Sequence, residues 1–148
     1  MSKIDTTQWK DYAIADLFEI KKGTRLTRAN MKDGDIRYIG ASTFNNGITA
    51  QISNDEHLHP ANSISVSYNG SVGEAFYQDE PFWASDDVNV LYPKFQLTRN
   101  IALFIIPIIK QIGKQYAFID KWKKEDMERD MLKLPAKSDG TPDFDYME

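Results

Sequence analysis

Polar side chains gather in two stretches that have no thiol or histidine among them. The first covers residues 40–48, GASTFNNGI, and the second covers residues 65–73, SVSYNGSVG. Their hydroxyl and amide groups donate and accept hydrogen bonds without ionising near neutral pH. The two stretches therefore predict a surface that recognises a ligand rather than one that transforms it.

The sequence patterns that would support catalysis or metal binding are weaker than the two polar stretches. Asp86 and Asp87 are the best carboxylate pair for metal-dependent cleavage, but neighbours on a strand point to opposite faces and cannot by themselves chelate one ion. His57 and His59 would share one face of an extended segment, yet zinc needs at least three protein ligands. Residues 70–73, GSVG, lack the phosphate-loop lysine. The methyltransferase Asn/Asp-Pro-Pro-aromatic motif is missing too, so we predict no catalytic residue, metal or cofactor.

Length and composition favour one domain with its own core. The chain has 148 residues, of which 41% are hydrophobic, and no cysteine for a disulfide or a thiolate zinc site. The longest apolar stretch, residues 101–112, contains Pro107 and is shorter than the roughly 20 residues that span a bilayer. Because no N-terminal apolar run resembles a signal peptide, we expect a cytoplasmic protein without a membrane contact.

Charge is distributed unevenly along the chain. Residues 1–40 carry 8 basic and 6 acidic side chains, residues 41–93 carry 0 and 7, and residues 94–148 carry 10 and 9. The three parts therefore have net charges of +2, −7 and +1, which add to −4. A polyanion that binds this chain would be held by the flanks rather than by the middle part, although charge runs are often only solvated faces.

Periodicity predicts α+β structure: a mixed, strongly bent β-sheet with hairpins, packed against a few helices. A short amphipathic helical turn is expected around residues 14–18, a strand at 36–39 after the turn Asp33-Gly34-Asp35, and a turn at Asn45-Asn46-Gly47. Residues 63–68 alternate polar and apolar and lead through Asn69-Gly70 to residues 71–77, the strongest hairpin pattern in the sequence.

The C-terminal part changes to helical spacing. After a strand at residues 88–92, Thr98 is expected to cap a helix with a wide apolar face, which Pro107 should kink or divide. A charged helix is predicted from about Asp120 to Arg129, followed by a closing strand at 131–135. Trp83 and Trp122 are expected to be core or interface anchors.

A series of short motifs runs through the chain in a fixed order. These are Trp9, LFEI at 17–20, Gly23, YIGAS at 38–42, NNGI at 45–48, ISV at 64–66, NGSVG at 69–73, ASDDV at 84–88 and LKLP at 132–135. Their order resembles that of the target recognition domain of type I restriction-modification specificity subunits (HsdS-like), and it is similar to the related type IIB specificity subunits.

The resemblance implies sequence-specific recognition of double-stranded DNA, without catalysis, as part of a restriction-modification system. Such subunits usually hold two of these domains, separated by helices, and work with methyltransferase and restriction subunits. We therefore expect a target recognition domain at residues 1–134 and a tail at 135–148 that leads toward a spacer helix absent from this chain. A second specificity half is a further expected partner, since only one domain is present.

Two kinds of side chain are expected at a DNA interface. Asparagine pairs with adenine, and serine and threonine suit several bases, while lysine and arginine hold phosphates. The alternative role of Asn45, Asn46 and Asn69 is turn formation rather than base contact. The alternative role of Tyr68 is packing within its strand. The predicted DNA-binding residues are Lys21, Lys22, Thr24, Arg25, Arg28, Lys32, Ser42, Thr43, Asn45, Asn46, Ser67, Tyr68, Asn69, Lys121, Lys123 and Lys124.

An alternative function is protein interaction. The apolar helix at 98–112 would then dock a partner helix, or the acidic middle part would imitate DNA and inhibit a restriction-modification complex. A small hydrolase that uses Asp86 or Asp87 is a third and weaker alternative.

Overall fold

The computed structural model describes residues 9–117, 119 and 121–148, which form nine β-strands and four α-helices. The strands are β1 Lys10–Ala13, β2 Phe18–Lys22, β3 Asp33–Ile39, β4 Ile48–Ile52, β5 Ser63–Ser67, β6 Ala75–Gln78, β7 Phe82–Ala84, β8 Val88–Pro93 and β9 Met131–Leu134. The helices are α1 Ile14–Leu17, α2 Arg99–Gly113, α3 Lys124–Arg129 and α4 Phe144–Met147.

The strands are shared among three sheets. A four-stranded antiparallel sheet has the order β2-β8-β5-β6, a three-stranded sheet has the order β4-β3-β7, and β1 pairs with β9. Within the three-stranded sheet β3 and β7 are parallel, whereas β3 and β4 are antiparallel. The predicted α+β class, with hairpins and a mixed sheet packed against a few helices, is confirmed.

The two central strands of the four-stranded sheet, β8 and β5, are buried on both faces. On one face Ile64 and Val66 of β5 join Ile105 and Ile109 of α2 in the largest hydrophobic cluster. On the other face Val90 of β8 belongs to a second cluster that includes residues of β3 and β7. This two-sided cover explains why every residue of β5 is buried, although its sequence SISVS alternates polar and apolar side chains.

Several predicted elements are confirmed, with shifted ends. The β5–β6 hairpin forms, but its second strand begins at Ala75 rather than at 71, because Ser71 and Gly73 have positive φ in the connecting turn. The predicted strand at 36–39 begins earlier, at Asp33. The expected helical turn at 14–18 is only the four-residue α1, and β2 begins at Phe18. Helix α3 begins at Lys124, and Asp120, its expected start, lies outside the described residues.

Helix α2 is capped as expected but is not divided. The Thr98 hydroxyl accepts a hydrogen bond from the Ile101 amide at 3.2 Å. Pro107 lies inside the helix without ending it, because Leu103, whose carbonyl loses its usual donor, is exposed on the solvent side and can be hydrated. None of the helices in the described part of the chain has the length and apolar character needed to cross a membrane.

The C-terminal residues pack on the rest of the chain. Phe144 stacks on Phe95 with ring centroids 4.3 Å apart, and Met147 is buried in the largest cluster. The Thr98 hydroxyl donates to the Glu148 carboxylate at 2.5 Å. The domain boundary at residue 134 stays a prediction, and residues 135–148 contribute to the same core.

A close approach of two glycines joins the β5–β6 turn to α2. A Cβ added to Gly113 would lie 2.6 Å from the Gly73 Cα and 3.2 Å from the Trp122 ring. The Gly113→Ala variant should therefore lose about 1–3 kcal/mol of unfolding free energy through overpacking, although alanine favours helix. Urea unfolding is the measurement, with exposed Gln111→Ala in the same helix as the control. A Gly113→Ala variant as stable as wild type would contradict this packing.

His59 makes stability depend on pH. Its Nδ1 lies 2.6 Å from the Tyr92 hydroxyl, and burial, with a smaller contribution from His57, lowers the pKa of His59 to about 4. The unfolded chain therefore takes up this proton at a higher pH than the folded chain. Stability conferred by neutral His59 is fully present above pH 6.5 and is lost as the pH falls toward 4.

We expect the unfolding free energy of the wild type to fall by roughly 2–3 kcal/mol more between pH 7 and pH 4.5 than that of His59→Gln. Urea unfolding at the two pH values measures this difference. His57→Gln, which alters an exposed histidine two residues earlier, is the control and should keep most of the wild-type pH dependence. Equal pH dependence in wild type and His59→Gln would refute the assignment.

Candidate nucleic-acid interface

The ends of several strands converge at one side of the molecule. The Gly23 amide donates to the Val88 carbonyl at 2.8 Å, which places the segment after β2 beside the start of β8. The Ser85 amide donates to the Ile39 carbonyl at 2.9 Å, and this bond joins the ends of β3 and β7. We call the resulting surface the loop end and define it as residues 23–28, 40–47, 68–74, 85–87 and 121.

The segment Tyr68-Asn69 is held from two sides. The Tyr68 amide donates to the Asp87 carbonyl at 3.0 Å, and the Trp122 amide donates to the Tyr68 carbonyl at 2.7 Å. The Tyr68 hydroxyl donates to the Asp86 carbonyl. Burial, together with the charges of Asp87 and Asp86, raises the pKa of Tyr68. The tyrosine therefore stays neutral and acts as a donor that fixes the loop.

Asn69 is exposed beside this anchored tyrosine. Its Nδ2 donates to the Asp87 Oδ1 at 2.9 Å, and its backbone forms an isolated antiparallel bridge with Lys121. Tyr68, Asn69 and Lys121, three of the predicted DNA-binding residues, thus lie together at the loop end. The Asp87 carboxylate is therefore hydrogen-bonded to the Asn69 side chain, whereas the hydrolase alternative would use it as a catalytic group.

The loop at 40–47 lies next to the β5–β6 turn. A Cβ added to Gly70 would lie 3.7 Å from the Ala41 Cβ. Asn45 and Asn46 have positive φ, 55° and 56°, as the Asn-Asn-Gly turn predicted. Phe44 is 78% exposed at this loop, and Thr43 is exposed beside it, while Ser42 accepts a hydrogen bond from the Phe44 amide at 3.1 Å.

Gln78 attaches this loop to the sheets. Its Nε2 donates to the Asn46 carbonyl at 3.0 Å and to the Ser65 hydroxyl at 3.2 Å, while its Oε1 accepts from Asn46 Nδ2 at 3.3 Å. The side chain of Asn46 is thus engaged within the protein. No sequence pattern indicates this role for Gln78, because its partners are distant in the chain.

Ser67 does not lie at the surface. It was predicted to contact DNA, but it is only 3% exposed in β5, where it pairs with Val88 of β8. The prediction treated the hairpin as open on one face, whereas the three-stranded sheet covers that face. We therefore leave Ser67 out of the interface proposed below.

The predicted basic residues fall into several groups. Arg25 is at the loop end, where its guanidinium is 4.0 Å from the Asp86 carboxylate. Thr24 follows the end of β2, and its amide donates to the Ala84 carbonyl at 2.8 Å. Arg28 is in a 3₁₀ turn, Arg28–Asn30, and exposed Lys32 lines a groove with Arg25 and Thr24.

A second basic group borders the edge strand β2. Lys21, Lys22 and Lys124 line a groove together with Lys94, a lysine that the sequence analysis missed because it stands alone after Pro93. Lys21 pairs with Glu19 at 2.6 Å, and this hydrogen bond lowers the pKa of Glu19. Exposed Lys123 precedes α3 and lies two residues after Lys121.

Acidic side chains of the middle part are largely paired with residues outside it. Glu74 pairs with Lys110 at 3.3 Å, and Asp79 pairs with Arg37 at 2.9 Å and with Arg99 at 2.8 Å. Arg37 also pairs with Glu80 at 2.8 Å. The negative charge seen in the sequence is therefore interrupted by arginine and lysine in three dimensions.

The two histidines of the possible metal half-site have separate surroundings. His59 is buried against Tyr92, while exposed His57 packs edge-on to Trp83 with ring centroids 5.4 Å apart. Within residues 9–117, 119 and 121–148, no group of three or more His, Cys, Asp or Glu side chains is placed to hold a metal. Trp83 and Trp122 are both buried, as predicted.

Comparison of the chain with models of protein families identifies the family to which it belongs. The model of the type I restriction modification DNA specificity domain matches residues 6–148. The chain belongs to this family. The resemblance inferred from the sequence motifs is therefore confirmed, and the loop end lies within the matched part of this DNA specificity domain.

A curated relative supports the same family. The specificity subunit S.BcgI of the type II restriction enzyme BgcI from Heyndrickxia coagulans is 39% identical to the DNA specificity domain over 141 residues. The match covers 95% of the chain and 41% of the relative. The domain thus spans about two fifths of the length of that protein.

Solved structures share the fold. The S subunit of a type I restriction-modification system from M. genitalium has a TM-score of 0.68 at 17% identity, covering 87% of this domain and 35% of that chain. The HsdS subunit from Thermoanaerobacter tengcongensis has a TM-score of 0.64 at 14% identity, covering 87% and 34%. At these identities the likeness concerns the fold.

The hydrogen bond from the Tyr68 hydroxyl, which anchors the loop end, should contribute to stability. Tyr68→Phe removes the donor to the Asp86 carbonyl and should lower the unfolding free energy by about 0.5–1.5 kcal/mol. Tyr146→Phe, which alters an exposed tyrosine of α4, is the matched control and should change little. Chemical denaturation compares them, and equal stabilities for the two variants would argue against the anchor.

Proposed function

We propose that this domain recognises a specific sequence in double-stranded DNA through its loop end, without catalytic activity of its own. The main support for the proposal is the convergence of five polar or charged segments at one side of a DNA specificity domain. The polar segments come from different parts of the chain and are fixed by hydrogen bonds to one another. Such a surface suits duplex DNA, which presents base edges and phosphates together.

The proposed contacts divide by chemistry. Ser42, Thr43, Asn45 and Asn69 are the side chains proposed for base edges. Asn46 holds the loop at 40–47, and Tyr68, whose hydroxyl donates to the Asp86 carbonyl, holds the β5–β6 turn beside them. Arg and Lys side chains would contact phosphates and make the affinity dependent on salt. The proposed phosphate contacts are Lys21, Lys22, Arg25, Arg28, Lys32, Lys121, Lys123 and Lys124, with Thr24 as a hydroxyl donor.

Exposed Phe44 adds an apolar contact that the sequence analysis did not include. It stands among polar residues at 40–47 and is 78% exposed. Aromatic side chains at a groove contact the thymine methyl group or sugar surfaces. We propose that Phe44 enters the interface beside Thr43.

Methyltransferase and restriction subunits are the proposed partners, in the cytoplasm, with a second specificity half where the target has two parts. Support comes from the relative S.BcgI, which is named as the specificity subunit of a restriction enzyme. Because the chain spans 41% of that relative, these partners are proposals about a larger assembly.

The inhibitor alternative is not favoured. A DNA mimic needs contiguous negative charge, whereas Glu74, Asp79, Glu80 and Asp86 are each within 4.0 Å of a lysine or arginine. Family membership points to DNA specificity as well.

Selection from a random duplex library tests the proposed function. The chain is used alone and, in parallel, after co-purification with the proposed methyltransferase partner. We expect one motif to be enriched at low salt in at least one of the two preparations. If neither preparation enriches a motif, the recognition function is wrong.

Two lysines at and beside the loop end should contribute to affinity but not to sequence preference. Lys121→Ala/Lys123→Ala should weaken binding to all duplexes alike and reduce the salt slope by about 1 per lost phosphate contact. Fluorescence anisotropy over a salt series measures the slope. The matched control is Lys133→Ala/Lys137→Ala, which removes the same charge from β9 and the C-terminal turn. The proposal of phosphate contacts fails if both double variants have the wild-type slope.

A further inference from the structure

Asn69 has an exposed side chain at the loop end, and a carboxylate from another loop holds that side chain in place. Its Nδ2 donates to Asp87 Oδ1 at 2.9 Å. We propose that Asn69 reads an adenine in the major groove of the target and that Asp87 is its positioning residue. This inference rests on the proposed function, because it names the base that one side chain would recognise.

Carboxylate chemistry fixes which way the Asn69 amide faces. An ionised aspartate only accepts hydrogen bonds, so the amide nitrogen, and not the amide oxygen, must face Asp87. One N–H of Asn69 is used in that bond. The other N–H and the Oδ1 remain, and among the described residues none donates to this Oδ1.

The remaining groups match one base. Adenine offers an N7 acceptor and an N6 amino donor in the major groove, and asparagine pairs with both at once. Guanine offers two acceptors on the same edge, so its O6 would face the Asn69 Oδ1 and repel it. The orientation set by Asp87 therefore favours adenine over guanine.

The backbone around Asn69 is held firmly enough for readout. Tyr68 is bonded to Asp87 through its amide and to Trp122 through its carbonyl, at 3.0 and 2.7 Å. Asn69 itself is bridged to Lys121. A recognition side chain needs such support, because small displacements from the productive geometry lose the paired hydrogen bonds.

The other asparagines of the loop end belong to the turn at 45–47. Asn46 Nδ2 donates to the Gln78 Oε1 at 3.3 Å, and Asn45 Nδ2 donates to the Ile48 carbonyl at 3.3 Å. Both have positive φ. Asn69 differs from them because a carboxylate of another loop orients its amide, so it is the asparagine to which we assign adenine.

The test compares the motifs that wild type, Asn69→Ala and Asp87→Ala select from a random duplex library, in the preparation that binds DNA. At one A·T pair, Asn69→Ala should lose about 5- to 150-fold of the preference for adenine, with the rest of the motif unchanged. Asp87→Ala should weaken the same preference. The double variant should lose no more than Asn69→Ala, because the two side chains act through one contact.

A duplex with a modified adenine tests the same contact on the wild-type protein, so this result does not depend on whether a variant folds. Replacing that adenine by 7-deazaadenine removes the N7 acceptor and should weaken wild-type binding about 2- to 13-fold. The same replacement should leave the affinity of Asn69→Ala unchanged. Asn100→Ala, which alters an exposed asparagine of α2, is the control and should respond like wild type.

The possible outcomes separate the two proposals. If wild type enriches a motif but Asn69→Ala prefers the same bases equally, the readout by Asn69 is wrong and the proposed function stands. Loss of preference at a G·C pair would overturn the adenine assignment. If wild type enriches no motif, the proposed function fails and the inference falls with it.

Discussion

Burial of the central strands β8 and β5 on both faces of the four-stranded sheet is the constraint on which the rest of the molecule depends. Helix α2 covers one face, and the three-stranded sheet covers the other. Strands enclosed in this way must satisfy their backbone groups within the ladder, which fixes the register of β2, β8 and β5. Once this register is set, the ends of β2 and β5 and the start of β8 lie side by side, and their loops form one surface.

Hydrogen bonds between backbone and side chain then convert neighbouring loops into an ordered surface. The β5–β6 turn is fixed to the β7–β8 turn through Tyr68, and to the segment before α3 through Trp122. The loop at 40–47 is fixed to β6 through Gln78. Loops that are ordered before binding lose less conformational entropy when they contact DNA, which favours specific recognition.

The loop end contains both basic side chains and aspartates that orient neighbouring side chains. Arg25 and Lys121 supply positive charge near two aspartates, so the surface is not uniformly basic. Each aspartate has a partner, since Asp86 faces Arg25 and Asp87 holds Asn69. At the proposed DNA interface these carboxylates thus act as orienting groups.

Local patterns in the sequence were sufficient for much of the fold and for the family. The alternation at 63–68, the Asn-Gly turns, the Thr98 cap and the apolar spacing of α2 depend on near neighbours, so the sequence alone determined these elements. The end of α1, the continuity of α2 through Pro107 and the burial of Ser67 depend on what packs against them. Only the tertiary structure decided these features, because the covering layers come from distant parts of the chain. The pairing of Asn69 with Asp87, 18 residues apart, was decided in the same way by the register of β5 against β8.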